Sequence, residues 1–91
     1  MTLDKSRQEI DLIDETLISL LEKRMALVSQ VVAYKKAHKM PILDQNREET
    51  ILKKVAQEVK NPMYQESIVA TFKDIMIHSK TFQEKRLRDD N

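Results

Sequence analysis

The first forty residues contain neither glycine nor proline, and this unbroken stretch restricts the fold more than any other feature of the sequence. Apolar residues recur there at helical spacing, which predicts a single helix from about residue 5 to residue 38, capped by Asp4 or Ser6. Such a helix is roughly 50 Å long, whereas a compact chain of 91 residues has a radius of gyration of only about 12 Å. One chain cannot wrap this helix, so we expect a homodimer.

Two prolines mark the breaks in the rest of the chain. Pro41 ends the first helix, and a second helix is predicted over about residues 45–60. Pro62 then precedes a third helix over about residues 63–87. The absence of glycine excludes phosphate-binding glycine loops and glycine-dependent hairpin turns. We therefore predict an all-α fold in which residues 1–91 form one domain of three helices per chain.

Composition excludes several classes of function. Sixteen Lys and Arg residues nearly balance fifteen Asp and Glu residues, so the basic excess of a nucleic-acid binder is missing. The chain has no cysteine, which excludes disulfides and thiol chemistry. Its first ten residues are charged and polar, unlike a signal peptide, and no apolar run approaches the roughly 20 residues of a membrane span. We expect a soluble, cytoplasmic protein that binds neither nucleic acid nor membrane.

Polar residues occupy positions of the first helix where a buried seam requires apolar ones. Counted in heptads from Ile10, seven of eight inward positions suit such a seam, and the remaining one is Arg24. Lys35 lies on the same side eleven residues later, roughly 16 Å along the axis, so one small molecule can touch both side chains. Arg7 lies roughly 25 Å from Arg24 along the helix axis, in the direction away from Lys35. It can reach the same ligand only from the second chain of an antiparallel dimer.

The other two helices show the same anomaly. Asp44, Arg47 and Glu48 project from one side of the second helix, because separations of three and four residues share a face. Ser79 and Gln83 are four residues apart on the inward face of the third helix. Polar groups of all three helices are therefore predicted to face the interior.

Each of these residues alone has an ordinary structural explanation. Arg24 can extend to solvent with its stem buried, and Ser79 can be a satisfied core hydroxyl. The role of helix N-cap would by itself explain Asp44, and Asn46 fits this role as well. Together, however, the inward residues include three cations and only two carboxylates. The cations are Arg24, Lys35 and Arg47, and the carboxylates are Asp44 and Glu48. A buried cation costs several kcal/mol unless it is paired. The excess of positive charge predicts an anionic ligand, such as a molecule that carries carboxylates.

The sequence offers few groups for nucleophilic or metal chemistry. His38 and His78 have no acidic or histidine partner at metal-ligand spacing, and no Ser-His-acid arrangement can be singled out. We expect no metal and no cofactor. An enzyme built on this chain would act by positioning its substrate and by electrostatic stabilisation.

The sequence resembles the all-helical chorismate mutases over roughly Leu3 to Phe82. The segments that carry the resemblance are SRQEIDLIDETLISLLEKRMALVSQVVAYKK, PILDQNREE and FKDIMIHSKTFQE. They present, in order, an early Arg, a mid-helix Arg, a Lys eleven residues later, a D-x-x-R-E opening and a late S-x-x-x-Q. The resemblance implies an intertwined homodimer with two equivalent sites, and the Claisen rearrangement of chorismate to prephenate in phenylalanine and tyrosine biosynthesis.

By this resemblance, four side chains act on the substrate's carboxylates and ether oxygen. Arg24 and Arg7 of the partner subunit bind the two carboxylates, the second of them across the dimer. Lys35 and Gln83 donate hydrogen bonds to the ether oxygen, where negative charge gathers as its bond breaks. A neutral amide donates at any ordinary pH, so weak pH dependence is expected from Gln83.

The remaining predicted site residues belong to the second and third helices. By the same resemblance, Glu48 and the backbone near Asp44 hold the ring hydroxyl, while Arg47 and Ser79 complete the polar lining around the carboxylates. An isochorismate-pyruvate lyase and a non-catalytic helical dimerisation or regulatory module are alternative functions. The resemblance also leaves open an aromatic-pathway enzyme as a binding partner.

Overall fold

The computed structural model describes residues 2–89, and within them it contains three α-helices. The helices are α1 (Leu3–Ala37), α2 (Gln45–Glu58) and α3 (Pro62–Asp89). The all-helical fold and the very long first helix, which spans 35 residues, are confirmed.

The start of α1 differs from the prediction, because its N-cap is neither Asp4 nor Ser6. Thr2 has an extended backbone, and its hydroxyl accepts a hydrogen bond from the backbone N–H of Lys5 at 3.2 Å. The first four backbone N–H groups of a helix have no acceptor within the helix, and the Thr2 hydroxyl provides an acceptor for one of them. Asp4 instead lies in the first turn, where its charge complements the helix dipole.

The starts of α2 and α3 follow from local side-chain chemistry. Of the two candidate caps of α2, Asp44 is the N-cap rather than Asn46, since its carboxylate accepts a hydrogen bond from the backbone N–H of Arg47 at 3.1 Å. The Asn61 side chain accepts from the backbone N–H two residues later at 3.0 Å. Pro62 therefore occupies the first position of α3, where its missing N–H costs nothing, instead of preceding the helix.

The end of α1 redirects the chain towards α2. Lys39 has a positive φ of 54°, the left-handed conformation that usually follows a helix C-terminus. The backbone N–H of Met40 donates to the carbonyl of Lys35 at 2.8 Å, and that of Lys39 donates to the carbonyl of Lys36 at 3.3 Å. This pair of hydrogen bonds is the Schellman motif, and Pro41 after it prevents the helix from continuing.

Helix α3 joins the other two helices. It packs against both α1 and α2, whereas α1 and α2 do not pack against each other within residues 2–89. The Gln65 amide of α3 donates to the carbonyl of Ala56 in α2 at 2.7 Å, which ties these two helices together. The chain measures 53 × 25 × 14 Å and is therefore elongated. The separation of α1 from α2 leaves a cleft above α3.

The core that a single chain buries is small. Its buried apolar side chains among the described residues are Val32, Val55 and Met76. Large apolar side chains of α1 are exposed instead, and those above half exposure include Ile10, Leu12, Ile13, Ile18, Leu20 and Leu27. Charged residues separate them, and no helix in residues 2–89 has the length and apolar character needed to cross a membrane.

Candidate active site

A cavity of about 190 Å³ occupies the cleft between α1 and α2, with α3 beneath it. All three helices and the α1–α2 connection contribute to its walls. The apolar lining residues are Val28, Val31, Ile42, Ile51 and Met76. The remaining lining residues are polar or charged, so the cavity combines an apolar body with converging polar groups, as small-molecule sites do.

Seven of the eight predicted site residues line this one cavity. They are Arg24, Lys35, Asp44, Arg47, Glu48, Ser79 and Gln83. Arg7 is the exception, because it is exposed near the start of α1 and does not line the cavity. The fold of one chain thus brings together residues from 24 to 83, and it does not bring Arg7 to them.

Arg24 points into the chain rather than out to solvent. Its guanidinium donates a hydrogen bond of 2.6 Å to the hydroxyl of Ser79, which is only 5% exposed. That hydroxyl in turn donates to the backbone carbonyl of Ile75 at 2.8 Å. Because its single proton is engaged with Ile75, Ser79 acts as an acceptor that orients Arg24. The guanidinium keeps further N–H donors for an anion in the cavity.

Lys35 connects α1 to the segment that leads into α2. Its ammonium donates to the carbonyl of Ile42 at 2.9 Å, and the side chain is half-buried. This hydrogen bond fixes the direction of a flexible side chain across one end of the cavity. An ammonium has three N–H donors, so the Ile42 carbonyl leaves two for a ligand.

The Gln83 amide has an unmet hydrogen-bonding requirement. Its Oε1 atom is buried and has no hydrogen-bond partner within the described residues. A buried polar atom without a partner costs about 1–3 kcal/mol. A partner at this atom would remove that cost: a hydrogen-bond donor for the oxygen, or an acceptor if the amide is flipped so that its nitrogen takes the oxygen's place.

The N-terminus of α2 supplies both carboxylates of the cavity. Asp44 is held in place as the N-cap through its bond to the Arg47 backbone N–H. Glu48, one turn later, is half-buried and lines the cavity without a side-chain hydrogen bond or ion pair inside residues 2–89. Its carboxylate is therefore available to accept a hydrogen bond from a hydroxyl group.

Sequence reasoning missed one cation of the cavity, Lys80. The signal was present, because Met76, Ser79, Lys80 and Gln83 share one face of α3 at separations of three and four residues. With Lys80, four cationic side chains and two carboxylates line the cavity. The cavity therefore favours a ligand with two negative charges.

The histidines lie outside this cavity. His38 and His78 are both exposed, and the ring of His38 stacks on that of Tyr34 with centroids 3.9 Å apart. No group of three His, Cys, Asp or Glu side chains suited to a metal ion occurs in the described part of the chain.

The fold and the cavity define a class of all-helical proteins with a small cavity between helices, lined here by four cationic side chains and two carboxylates. The family model of chorismate mutase type II matches residues 6–84, and the chain belongs to this family. The match confirms the resemblance drawn from the sequence segments. No solved structure matches the chain significantly.

Proposed function

We propose that this protein is a cytoplasmic chorismate mutase of phenylalanine and tyrosine biosynthesis that acts as a homodimer. The reaction is an intramolecular rearrangement, in which the ether C–O bond of chorismate breaks while a C–C bond forms to give prephenate. No atom is gained or lost and no proton is transferred. The observation that carries the proposal is the convergence of Arg24, Lys35, Glu48 and Gln83 on one cavity in a chain of this family.

The carboxylates of chorismate are the groups that the guanidinium side chains bind. Arg24, oriented by Ser79, presents a planar fork that matches a carboxylate in two hydrogen bonds. Arg47 lies on the α2 side of the cavity. Arg24 binds one of the two carboxylates, and Arg7 of the partner subunit binds the other. Holding both carboxylates selects the compact conformer in which the reacting carbon atoms meet, so part of the barrier is removed by orientation.

The ether oxygen gains negative charge as its bond to the ring breaks. Lys35 carries a positive charge and two N–H donors beyond its bond to Ile42, and the N–H₂ group of the Gln83 amide is a neutral donor. Both interactions strengthen as charge builds up on the oxygen. They therefore stabilise the transition state more than the ground state, which is the condition for a higher rate.

The ring hydroxyl is the third recognition point. Glu48 accepts its hydrogen bond, and the backbone near Asp44, fixed by the N-cap of α2, lies beside it. This contact aligns the ring relative to the two carboxylate clamps.

A homodimer is supported by the apolar surface that one chain leaves open. Ile13 is 65% exposed and Leu27 is 60% exposed along the same long helix. Packing two copies of α1 together would cover this surface, with a favourable free energy of roughly 25 cal/mol per Å² buried. It would also bring Arg7 of the partner subunit towards the cavity, which the fold of a single chain does not do.

An isochorismate-pyruvate lyase is the nearest alternative, and Asp44 and Glu48 favour the mutase because they suit the ring hydroxyl of chorismate. A non-catalytic helical module is the other alternative. It is disfavoured because the predicted cations Arg24, Lys35 and Arg47 are all present at the cavity.

The test is to incubate the purified protein with chorismate and, separately, with isochorismate. Formation of prephenate supports the mutase, whereas pyruvate released from isochorismate supports the lyase. We expect Arg24→Ala to lower kcat/KM for chorismate by about a thousandfold, because a carboxylate clamp is lost from a partly desolvated site. The mass in solution should stay that of the wild type. Wild-type turnover by this variant would contradict the site assignment.

A further inference from the structure

Lys80 is a cation of the cavity wall to which neither the helical pattern nor the family resemblance assigns a role. It is half-buried on α3, between Ser79 and Gln83 on the face that lines the cavity. Its position places a flexible ammonium group beside Ser79, which orients Arg24, and beside the amide of Gln83.

The charge of Lys80 has no neutralising partner among residues 2–89. Glu84 is one turn along the same helix, a spacing at which oppositely charged side chains often pair. In residues 2–89, however, the recorded ion pair is Lys54 with Glu58 at 3.8 Å, and Lys80 has neither an ion pair nor a hydrogen bond. The side chain lines the cavity although a partner is within reach on its own helix.

Ser79, the residue before Lys80, cannot donate a hydrogen bond to an anion in the cavity. The proton of the Ser79 hydroxyl is engaged by the Ile75 carbonyl at 2.8 Å, and its oxygen accepts from Arg24 at 2.6 Å. Ser79 therefore has no donor left for an anion. Lys80 is the cationic donor that α3 contributes to the cavity.

The charges around the cavity indicate what Lys80 binds. Arg24, Lys35, Arg47 and Lys80 face Asp44 and Glu48, which leaves two positive charges in excess before any ligand enters. The Asp44 carboxylate is already committed to the start of α2. A dicarboxylate therefore balances the excess, and an ammonium without a partner is suited to one of its carboxylates.

We propose that Lys80 binds a carboxylate of the substrate and contributes to affinity rather than to the rate of rearrangement; this inference rests on the proposed chorismate mutase function. The carboxylates keep their charge throughout the rearrangement. Because Arg24 and Arg7 of the partner subunit already hold the carboxylates in the compact conformer, an additional contact from Lys80 is made equally in the bound ground state and in the transition state. Its loss therefore raises KM and leaves kcat nearly unchanged.

The experiment compares full-length Lys80→Met and Lys80→Arg with the wild type in steady-state turnover of chorismate. Lys85→Met is the matched control, since it removes the same charge from an exposed position of the same helix outside the cavity. We expect Lys80→Met to raise KM about tenfold with kcat within about twofold, the scale of one charge-assisted hydrogen bond. Lys80→Arg should stay within about threefold of the wild type, and Lys85→Met should match it.

A second measurement makes the result independent of turnover. Prephenate, itself a dicarboxylate, is titrated into each variant by calorimetry at low and at high salt. Lys80→Met should bind it about tenfold more weakly than the wild type at low salt, and its affinity should fall less as salt is added, because one screened contact is already absent. Circular dichroism and mass in solution establish that the variants keep the wild-type fold and assembly.

The outcomes separate the two proposals. An unchanged KM and an unchanged prephenate affinity in Lys80→Met overturn the role of Lys80, as does a loss confined to kcat. A wild type that binds prephenate but does not convert chorismate overturns the proposed function, and the calorimetric comparison still decides the role of Lys80. A wild type that neither binds prephenate nor converts chorismate overturns both. If it converts chorismate without measurable binding of prephenate, the KM comparison decides the role of Lys80.

Discussion

Gln83 shows at the scale of one residue how a neutral side chain differs from an acid in the same place. An amide keeps its N–H donors at every pH, whereas a carboxyl group donates only when it is protonated. We therefore expect Gln83→Glu to lose about a hundredfold in kcat/KM near neutral pH, where a carboxylate would oppose the negative charge on the ether oxygen. Activity should return as the pH falls through the pKa of the new carboxyl group, so this variant gains activity towards acid. The pH profile of kcat/KM between about 4 and 8 measures this.

The matched control for that profile is Gln83→Ala. It removes the donor without adding an acid, so its activity should be low and should not recover towards acid. A wild-type enzyme whose own rate depended steeply on acid, and lost that dependence when Gln83 was altered, would contradict the assigned donor.

The sequence context of a single residue predicted the binding cavity less well than the combined pattern of the three helices did. Arg24 alone fitted a side chain that reaches solvent, and Ser79 alone fitted a core hydroxyl, but the joint excess of inward cations indicated a binding cavity. The structure joins these two residues by a hydrogen bond that no sequence pattern specifies. Lys80 lies next to Ser79 at the edge of the inward face of α3, where a lysine equally fits a solvent-exposed position, so the pattern did not single it out.

At the scale of the elements, the helices were predictable and their ends were less so. An apolar period of 3.6 and the two prolines are strong local signals, and they placed each helix end within about three residues of its observed position. The Thr2 cap was missed because Thr2, Asp4 and Ser6 are all residue types that cap helices, each by accepting from a backbone N–H two or three residues further on. The Schellman ending at Lys39 was missed because glycine, its usual marker, is absent from the chain.

Lys39 gives a test of that ending. A left-handed conformation costs a residue with a side chain about 1–2 kcal/mol, and glycine avoids this cost but loses more entropy on folding. We expect Lys39→Gly to raise the free energy of unfolding by about 0.5–1 kcal/mol, seen as a higher Tm at equal protein concentration. Lys39→Ala removes the same charge but keeps Cβ, so it should give no such gain. An equal gain in both variants would assign the effect to charge instead.

At the scale of the whole molecule, the exposed seam of the long helix and the distance of Arg7 from the cavity support the same proposed partner, a second copy of the chain. Residues 2–89 of one chain leave the seam of α1 exposed and lack Arg7 at the cavity. In the proposed homodimer a second copy would cover the seam and bring its Arg7 to the cavity, since a symmetric dimer makes each contact twice. The distance between Arg7 and Arg24 within one chain follows from the rise of a helix, about 1.5 Å per residue, because distance along a rigid rod is one of the few three-dimensional quantities that sequence determines directly. That Arg7 acts across the dimer stays a prediction.

Mixing two inactive variants tests this sharing of residues. Arg7→Ala and Arg24→Ala should each be nearly inactive, since each removes one carboxylate clamp from every site. A mixed dimer has one site with both arginines intact and one with neither, if Arg7 acts across the dimer. Refolding the two variants together in equal amounts should therefore recover about a quarter of wild-type activity, because half of the dimers are mixed and each has one working site. Mixing the folded variants without exchange of chains should recover none. If both arginines acted within one chain, every site in the mixture would lack one of them, and no recovery would follow refolding.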